Sequence, residues 1–265
     1  VSTKQGTAPV RAVGCAVIVW GIWTLFSRDA LPSGRRQWRH TILTALLMQV
    51  AYQAAFFVAL DQEINPGMLA LIVSAQPLIT AVLTGTRPRV TWLILAVGLT
   101  GVGLAVAADI DLTNPGAVGG YLAAVIALLA ITVGTLTQKS NSEVGVWANL
   151  AIQSTIAVAV FVVALPIVGL GTWEPGWRFV GAATWMVLVV SVGATALLYS
   201  MVGKRDAVSV TSLFFLVPAV TAVLDFIVNG TTLPLLTILG FGLTIGALIM
   251  IQRQPTFSLR KVEHA

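Results

Sequence analysis

The chain has 265 residues, 57% of them hydrophobic and 9% charged, with 15 Lys and Arg against 10 Asp and Glu, and its mean hydropathy is +0.92. An ordinary soluble domain carries about 25% charged residues, so this composition excludes a soluble enzyme, a disordered chain and a nucleic-acid binder, whose Lys and Arg would gather on one face. The single cysteine, Cys15, excludes a disulfide framework and a thiolate metal cluster. No metal and no cofactor is expected.

A bilayer core demands about 20 apolar residues per helix. Runs that meet this with no charge outside their end turns predict nine spans: Val10 to Phe26, Thr41 to Leu60, Pro66 to Gly85, Val90 to Ala108, Ala117 to Thr137, Val144 to Leu170, Phe179 to Met201, Ala207 to Val228 and Leu233 to Ile251. The first is short and lacks the cleavage pattern of a signal peptide. The runs are too long and too uniform for the alternating strands of a barrel, and helices are the remaining way to pair every backbone group in lipid. The fold class read from the sequence is therefore all-α, a polytopic membrane helix bundle.

The connections sort by charge. Arg28, Arg35, Arg36, Arg39, Arg87, Arg89, Lys139, Lys204, Arg205, Arg253, Arg260 and Lys261 fall on one side, against Lys4, Arg11 and Arg178 on the other. By the positive-inside rule the C-terminus is cytoplasmic and, by parity of nine, the N-terminus is outside. The net charge of +5 is thus topogenic.

A segment repeats. Pro77-Leu78-Ile79-Thr80-Ala81-Val82-Leu83 returns 141 residues later as Pro218-Ala219-Val220-Thr221-Ala222-Val223-Leu224, and Gly98-Leu99-Thr100 returns 144 residues later as Gly242-Leu243-Thr244. The first copy lies on an inward-running span and the second on an outward-running one, so the copies are inverted. Residues 1–112 form a first repeat of four visible spans, and residues 113–265 a second repeat of five with a cytoplasmic tail. The simplest account is five plus five, with one helix preceding Val1.

On these residues the chain resembles the EamA-type transporters of the drug/metabolite transporter superfamily. The match rests on Gln37-Trp38-Arg39 before a span ending Phe56-Phe57-Val58-Ala59-Leu60, on Leu69 through Leu78, on Phe214-Phe215-Leu216-Val217-Pro218, and on the Gly-rich closing span from Gly240 to Gly246. The resemblance implies ten helices in two inverted five-helix repeats, an inner-membrane location, and export or exchange of a small metabolite, often an amino acid. It makes the first visible span the family's second helix. The turns Leu83-Thr84-Gly85-Thr86-Arg87 and Val228-Asn229-Gly230-Thr231-Thr232 lack the glutamate usual after each Pro-bearing helix, so no role for that acid carries over.

Polar residues within spans are costly in lipid and tend to face a cavity. Gln49, Tyr52 and Gln53 lie at i, i+3 and i+4, and Asn149 and Gln153 at i and i+4, each set sharing a helical face. The alternative is that such amides join helices. Gln76 precedes Pro77, which frees the carbonyl of Val73, and Pro218 does the same for Phe214. Helices broken at equivalent places point to a midplane site, or else to packing kinks. Asp225, the only acid within a span, is the coupling candidate unless it reaches the interface. Trp20, Trp23, Trp185 and Tyr199 are candidates to shape an apolar part of the site, with interfacial belts as the alternative. Gly242 and Gly246 suggest a close helix contact.

The combined expectation is a multi-pass secondary transporter working by alternating access, with a small-molecule substrate, the lipid bilayer as its environment and no nucleic-acid partner. Gln49, Tyr52, Gln53, Gln76, Asn149, Gln153, Trp185 and Tyr199 are its expected substrate-binding residues. No His lies in a span and no H-E-x-x-H or G-x-S-x-G occurs, so the rivals are a membrane-embedded enzyme without a visible catalytic cluster and a non-transporting helical assembly protein.

Overall fold

The computed structural model describes residues 7–27, 29–62, 64, 66–85, 88–107, 118–168, 176–229 and 234–254. In chain order the helices are α1 Thr7–Ile22, α2 Arg35–Thr44, α3 Tyr52–Asp61, α4 Pro66–Val73, α5 Gln76–Leu83, α6 Arg89–Val106, α7 Val118–Ser140, α8 Val146–Val168, α9 Trp177–Trp185, α10 Thr195–Lys204, α11 Ala207–Thr211, α12 Leu216–Asn229 and α13 Leu235–Arg253. There is no strand among the described residues. Five helices are long and apolar enough to cross a membrane: Arg35–Asp61, Val118–Ser140, Val146–Ala164, Ala183–Lys204 and Leu235–Arg253. Four more apolar helices, Ala12–Ser27, Gly67–Leu83, Arg89–Ala105 and Ala207–Val220, are shorter. Large apolar side chains such as Phe26, Leu93, Val163 and Leu197 stand exposed, a surface too apolar for a monomer in water.

Local chemistry explains where helices begin and bend. Pro88 and Pro234 stand immediately before α6 and α13, where a preset φ is useful and a missing N–H costs nothing. Asp206 caps α11, its carboxylate accepting from the backbone N–H of Val208 and Ser209. Gly85, at φ 102°, closes α5 in a conformation that a Cβ would oppose. A π-helical stretch, Trp23–Ser27, follows α1, and two more, Ala45–Ala51 and Met186–Ala194, join α2 to α3 and α9 to α10. The starts of the latter two are 141 residues apart, the spacing that separates Pro77 from Pro218. A turn at residues 74–75 divides α4 from α5, and a 3-10 stretch, Ser212–Phe215, divides α11 from α12. Each break lies just upstream of one of the two prolines, whose rings crowd the carbonyl four residues back.

The chain forms two compact units that cut across the two sequence halves. One comprises Val1–Ile64 and Asn114–Gly203, the other Asn65–Thr113 and Lys204–Ala265. In the first, α1 packs on α8, and α2 and α3 pack on α7. The inward stripe of α7 is small, with Gly120, Ala123, Ala124, Ala127, Ala130 and Gly134 buried, so neighbouring backbones approach closely. Cys15, Val19, Met48, Leu150, Ala151, Val192 and Tyr199 form the apolar core.

In the second unit α6 and α13 make the dominant pair. Thr91 Oγ1 donates to Gln254 Oε1 at 2.8 Å and Thr237 Oγ1 to the carbonyl of Ala105 at 3.1 Å. A Cβ on Gly98 would meet that of Ala247 at 3.3 Å, and one on Gly101 would meet the backbone N of Thr244 at 2.8 Å. Residue numbers fall along α13 as they rise along α6, so the two helices are antiparallel. Phe215 lies over Gly98 in a core with Ala81, Leu95, Val102, Val208, Ala247 and Ile251. The contact expected of Gly242 and Gly246 is corrected here. A Cβ on either would meet nothing within 4 Å, because the inward stripe of α13 is Thr237, Gly240, Thr244, Ala247, Leu248 and Ile251, on the opposite side of the helix.

Candidate solute-binding cleft

The first unit carries a buried amide network. Helices α7 and α8 form a hairpin whose tight turn is tied down by Asn141, which donates through Nδ2 to Thr41 Oγ1 at 2.8 Å. Gln138, one turn before the hairpin, therefore faces Asn149, one turn after it. Asn149 Nδ2 donates to Gln138 Oε1 at 3.1 Å, and Gln153 Nε2 donates to the same oxygen at 3.0 Å and to Asn149 Oδ1 at 2.9 Å. Helical spacing of four residues sets Asn149 above Gln153 on one face of α8. Both are fully buried, and Gln138 nearly so.

Tyr199, on α10 and 2% exposed, extends the network. Its hydroxyl donates to Gln153 Oε1 and lies 4.0 Å from Met48 Sδ. A chain of side-chain hydrogen bonds thus runs from Tyr199 through Gln153 to Gln138. A second amide pair stands in the same unit, where Gln53 Nε2 donates to Gln49 Oε1 at 3.1 Å.

The Gln49–Gln53 pair lines a cleft together with Cys15, Ser154, Ser191 and Phe161 among others. Among the described residues, the lining contains no Asp, Glu, Lys, Arg or His. An ion entering such a place would lose its hydration without a counter-charge, which costs several kcal/mol or more, so this surface suits an uncharged hydrogen-bonding group beside an apolar one. The space open to water is about 20 Å³, room for about one water molecule.

Of the eight expected binding residues, Asn149, Gln153 and Tyr199 join in the buried network, and Gln49 and Gln53 form the pair that lines the cleft. Tyr52 shares their unit but packs its ring against Phe56 at 5.8 Å and is not among the lining residues. Trp185 is 61% exposed and is likewise absent from the lining. Gln76, Pro77 and Pro218 are buried in the second unit. Trp20 donates through Nε1 to Thr155 Oγ1 at 2.8 Å and Trp23 to the carbonyl of Asp29 at 2.9 Å. Asp225 belongs to α12, and its side chain lies outside the described residues. Sequence reasoning missed Gln138, which falls one residue beyond the predicted fifth span and next to Lys139, and Cys15, Ser154 and Ser191, which carry no periodic signal.

No protein-family model matches the chain, and no curated protein matches it. Among solved structures, one described only as "Crystal structure of protein" is similar at a TM-score of 0.75 and 20% identity, over 94% of this chain and 89% of that one. That likeness shows the fold, which extends over nearly the whole chain.

Proposed function

We propose that the protein is a secondary transporter of the EamA-like kind, moving a small metabolite across a cell inner membrane by alternating access. One observation carries this reading. Pro77 and Pro218, each just downstream of a helix break, are 141 residues apart, and so are the starts of the π-helical stretches at Ala45 and Met186, as a duplicated chain would have them. The antiparallel pairing of α6 with α13, which contain the matched Gly-Leu-Thr blocks, supports inversion of the copies, and duplicated halves with discontinuous helices are a hallmark of secondary transporters. In this reading nine helices cross the bilayer with the C-terminus in the cytoplasm, and the uncharged cleft, closed to about the size of one water, is a solute site in its shut form. The solute is a small amino acid-like or otherwise polar metabolite that offers the cleft an uncharged hydrogen-bonding group. Asp225 is the candidate for proton or cation coupling.

Proteoliposomes test it. Flux of at least one solute among amino acids, nucleosides and lipophilic cations is expected, with Gln53→Ala and Gln153→Ala impaired. No flux for any of these, together with wild-type behaviour of both variants, would overturn the proposal.

A further inference from the structure

Helix α8 begins without a cap of its own. The carbonyl of Gly145 accepts from the N–H of Asn149 at 2.9 Å, which puts Gly145 where a side-chain oxygen ordinarily satisfies one of the first N–H groups of a helix. Glycine has none to offer. The oxygen comes instead from the chain just past α1 and its π-helical extension, where Asp29 Oδ2 accepts from the N–H of Trp147 at 3.1 Å. Gly145 is what admits it, since a Cβ there would collide with that of Asp29 and lie 2.5 Å from Oδ2. Asp29 is itself anchored to the α1 side, its carbonyl accepting from Trp23 Nε1 at 2.9 Å. The segment that follows is fastened to the same hairpin, with Gln37 Nε2 donating to Glu143 Oε2 at 3.5 Å and Asn141 to Thr41.

These ties stand to one side of the cleft. Asp29 meets Trp147, Trp20 Nε1 meets Thr155 Oγ1, and Ala12 and Cys15 share the cleft with Ala157 and Phe161. Numbers fall along α1 as they rise along α8, so the two helices are antiparallel and Asp29 fastens them beyond one end of the cleft. Between lie Val19 on α1 and Leu150 and Ala151 on α8, all fully buried in one core with Cys15. This seam seals the cleft at that end, and Asp29 is its outermost fastening. Half-buried and polar, that fastening exchanges a protein partner for water when it parts, at a small net cost.

We infer that Asp29 is a positioning residue, a clasp that holds α1 on the start of α8 and so keeps this end of the cleft shut. That this end faces the cytoplasm and opens once in each transport cycle rests on the function proposed above; control of access to Cys15 does not.

Cys15 is the only cysteine of the chain and lines the cleft, so the protein carries its own reporter. Its reaction with a membrane-impermeant cationic methanethiosulfonate is timed by mass spectrometry, with reagent applied to one face in inside-out vesicles and to the other in right-side-out vesicles. Asp29→Ala removes the capping oxygen and is expected to speed the reaction about fivefold from the cytoplasmic face alone, the factor that loss of one helix cap allows. Asp29→Asn keeps an acceptor and is expected to react at the wild-type rate. Trp23→Phe deletes the indole N–H that anchors Asp29 and is expected to speed the reaction from the same face by less; it decides the matter if Asp29→Ala does not fold. An unchanged rate in the deciding variant, or an Asn variant as fast as the Ala variant, overturns the inference. So does a rise from both faces, which is what general loosening of the fold would give. A rise confined to the outer face supports the clasp and counts against the proposed orientation. A cytoplasmic rise in a protein that moves no solute supports the clasp and counts against the transport reading.

Discussion

The two compact units solve the same problem by different means. Lipid tails are as apolar as leucine, so helices in a membrane gain little from burying apolar faces and must cohere by close packing or by hydrogen bonds. The unit built on α6 and α13 uses packing, its backbones meeting at Gly101 and Gly240. The unit built on α1, α7, α8 and α10 uses hydrogen bonds, with Gln138, Asn149, Gln153 and Tyr199 at its centre. Glycine contacts are rigid, because nothing in a backbone can give way. An amide network keeps its bonds while exchanging donor for acceptor. With the cleft proposed as the solute site, the contrast predicts that stability rests chiefly on one unit and recognition chiefly on the other.

The largest expected effect tests the packed unit. Gly240→Ala would set a Cβ 2.5 Å from the backbone N of Ala105, and overpacking of this kind destabilises by about 1–3 kcal/mol. Thermal unfolding in detergent is expected to fall accordingly, while the KM of the folded remainder stays as in wild type. A changed KM with unchanged stability would invert the assignment. In the polar unit, Gln153→Leu strips partners from Gln138, Asn149 and Tyr199 at once. Leaving buried polar groups unsatisfied costs about 1–3 kcal/mol, and solute affinity is expected to fall with stability, read by flux and unfolding on the same sample.

Tyr199→Phe is the finer probe, since it deletes one hydroxyl and keeps the ring in its core of Val19, Met48 and Leu150. A stability loss of about 1 kcal/mol with a clear rise in KM would show that the hydroxyl serves recognition more than cohesion. Trp185→Ala should do least. The side chain is 61% exposed, and substitutions away from packed features stay within about 0.5 kcal/mol. A loss of affinity there, measured by the same flux assay, would place the solute on a surface other than the cleft.

Much of this was legible in the chain because helical periodicity is local. Gln49 with Gln53, and Asn149 with Gln153, are paired by four-residue spacing alone, and both pairs hold hydrogen bonds. Pro77 and Pro218 foretold two breaks, since a missing N–H disturbs the turn before it in any surroundings. Periodicity said nothing of Gln138, whose partners come from across a hairpin. It also grouped Tyr52 with the amides, whereas the π-helical stretch before it departs from the 3.6-residue register on which that grouping depended. The glycines divide likewise. A G-x-x-x-G spacing marks a smooth helical face, but only a neighbouring helix decides which face is used, and on α13 it is the face of Gly240 and Thr244.

Composition and spacing alone determined that the chain is helical, that it carries helices long and apolar enough to cross a membrane, and where two of them break. Each of these follows from solvation of the backbone and from bonds within a few residues. Which side of each helix turns inward was decided by the tertiary structure. Helices apolar on every side carry little pattern to distinguish a lipid face from a protein face, so the close approach of α6 to α13 and the joining of Tyr199 to Gln153 and Gln138 appear only when separate helices are brought together.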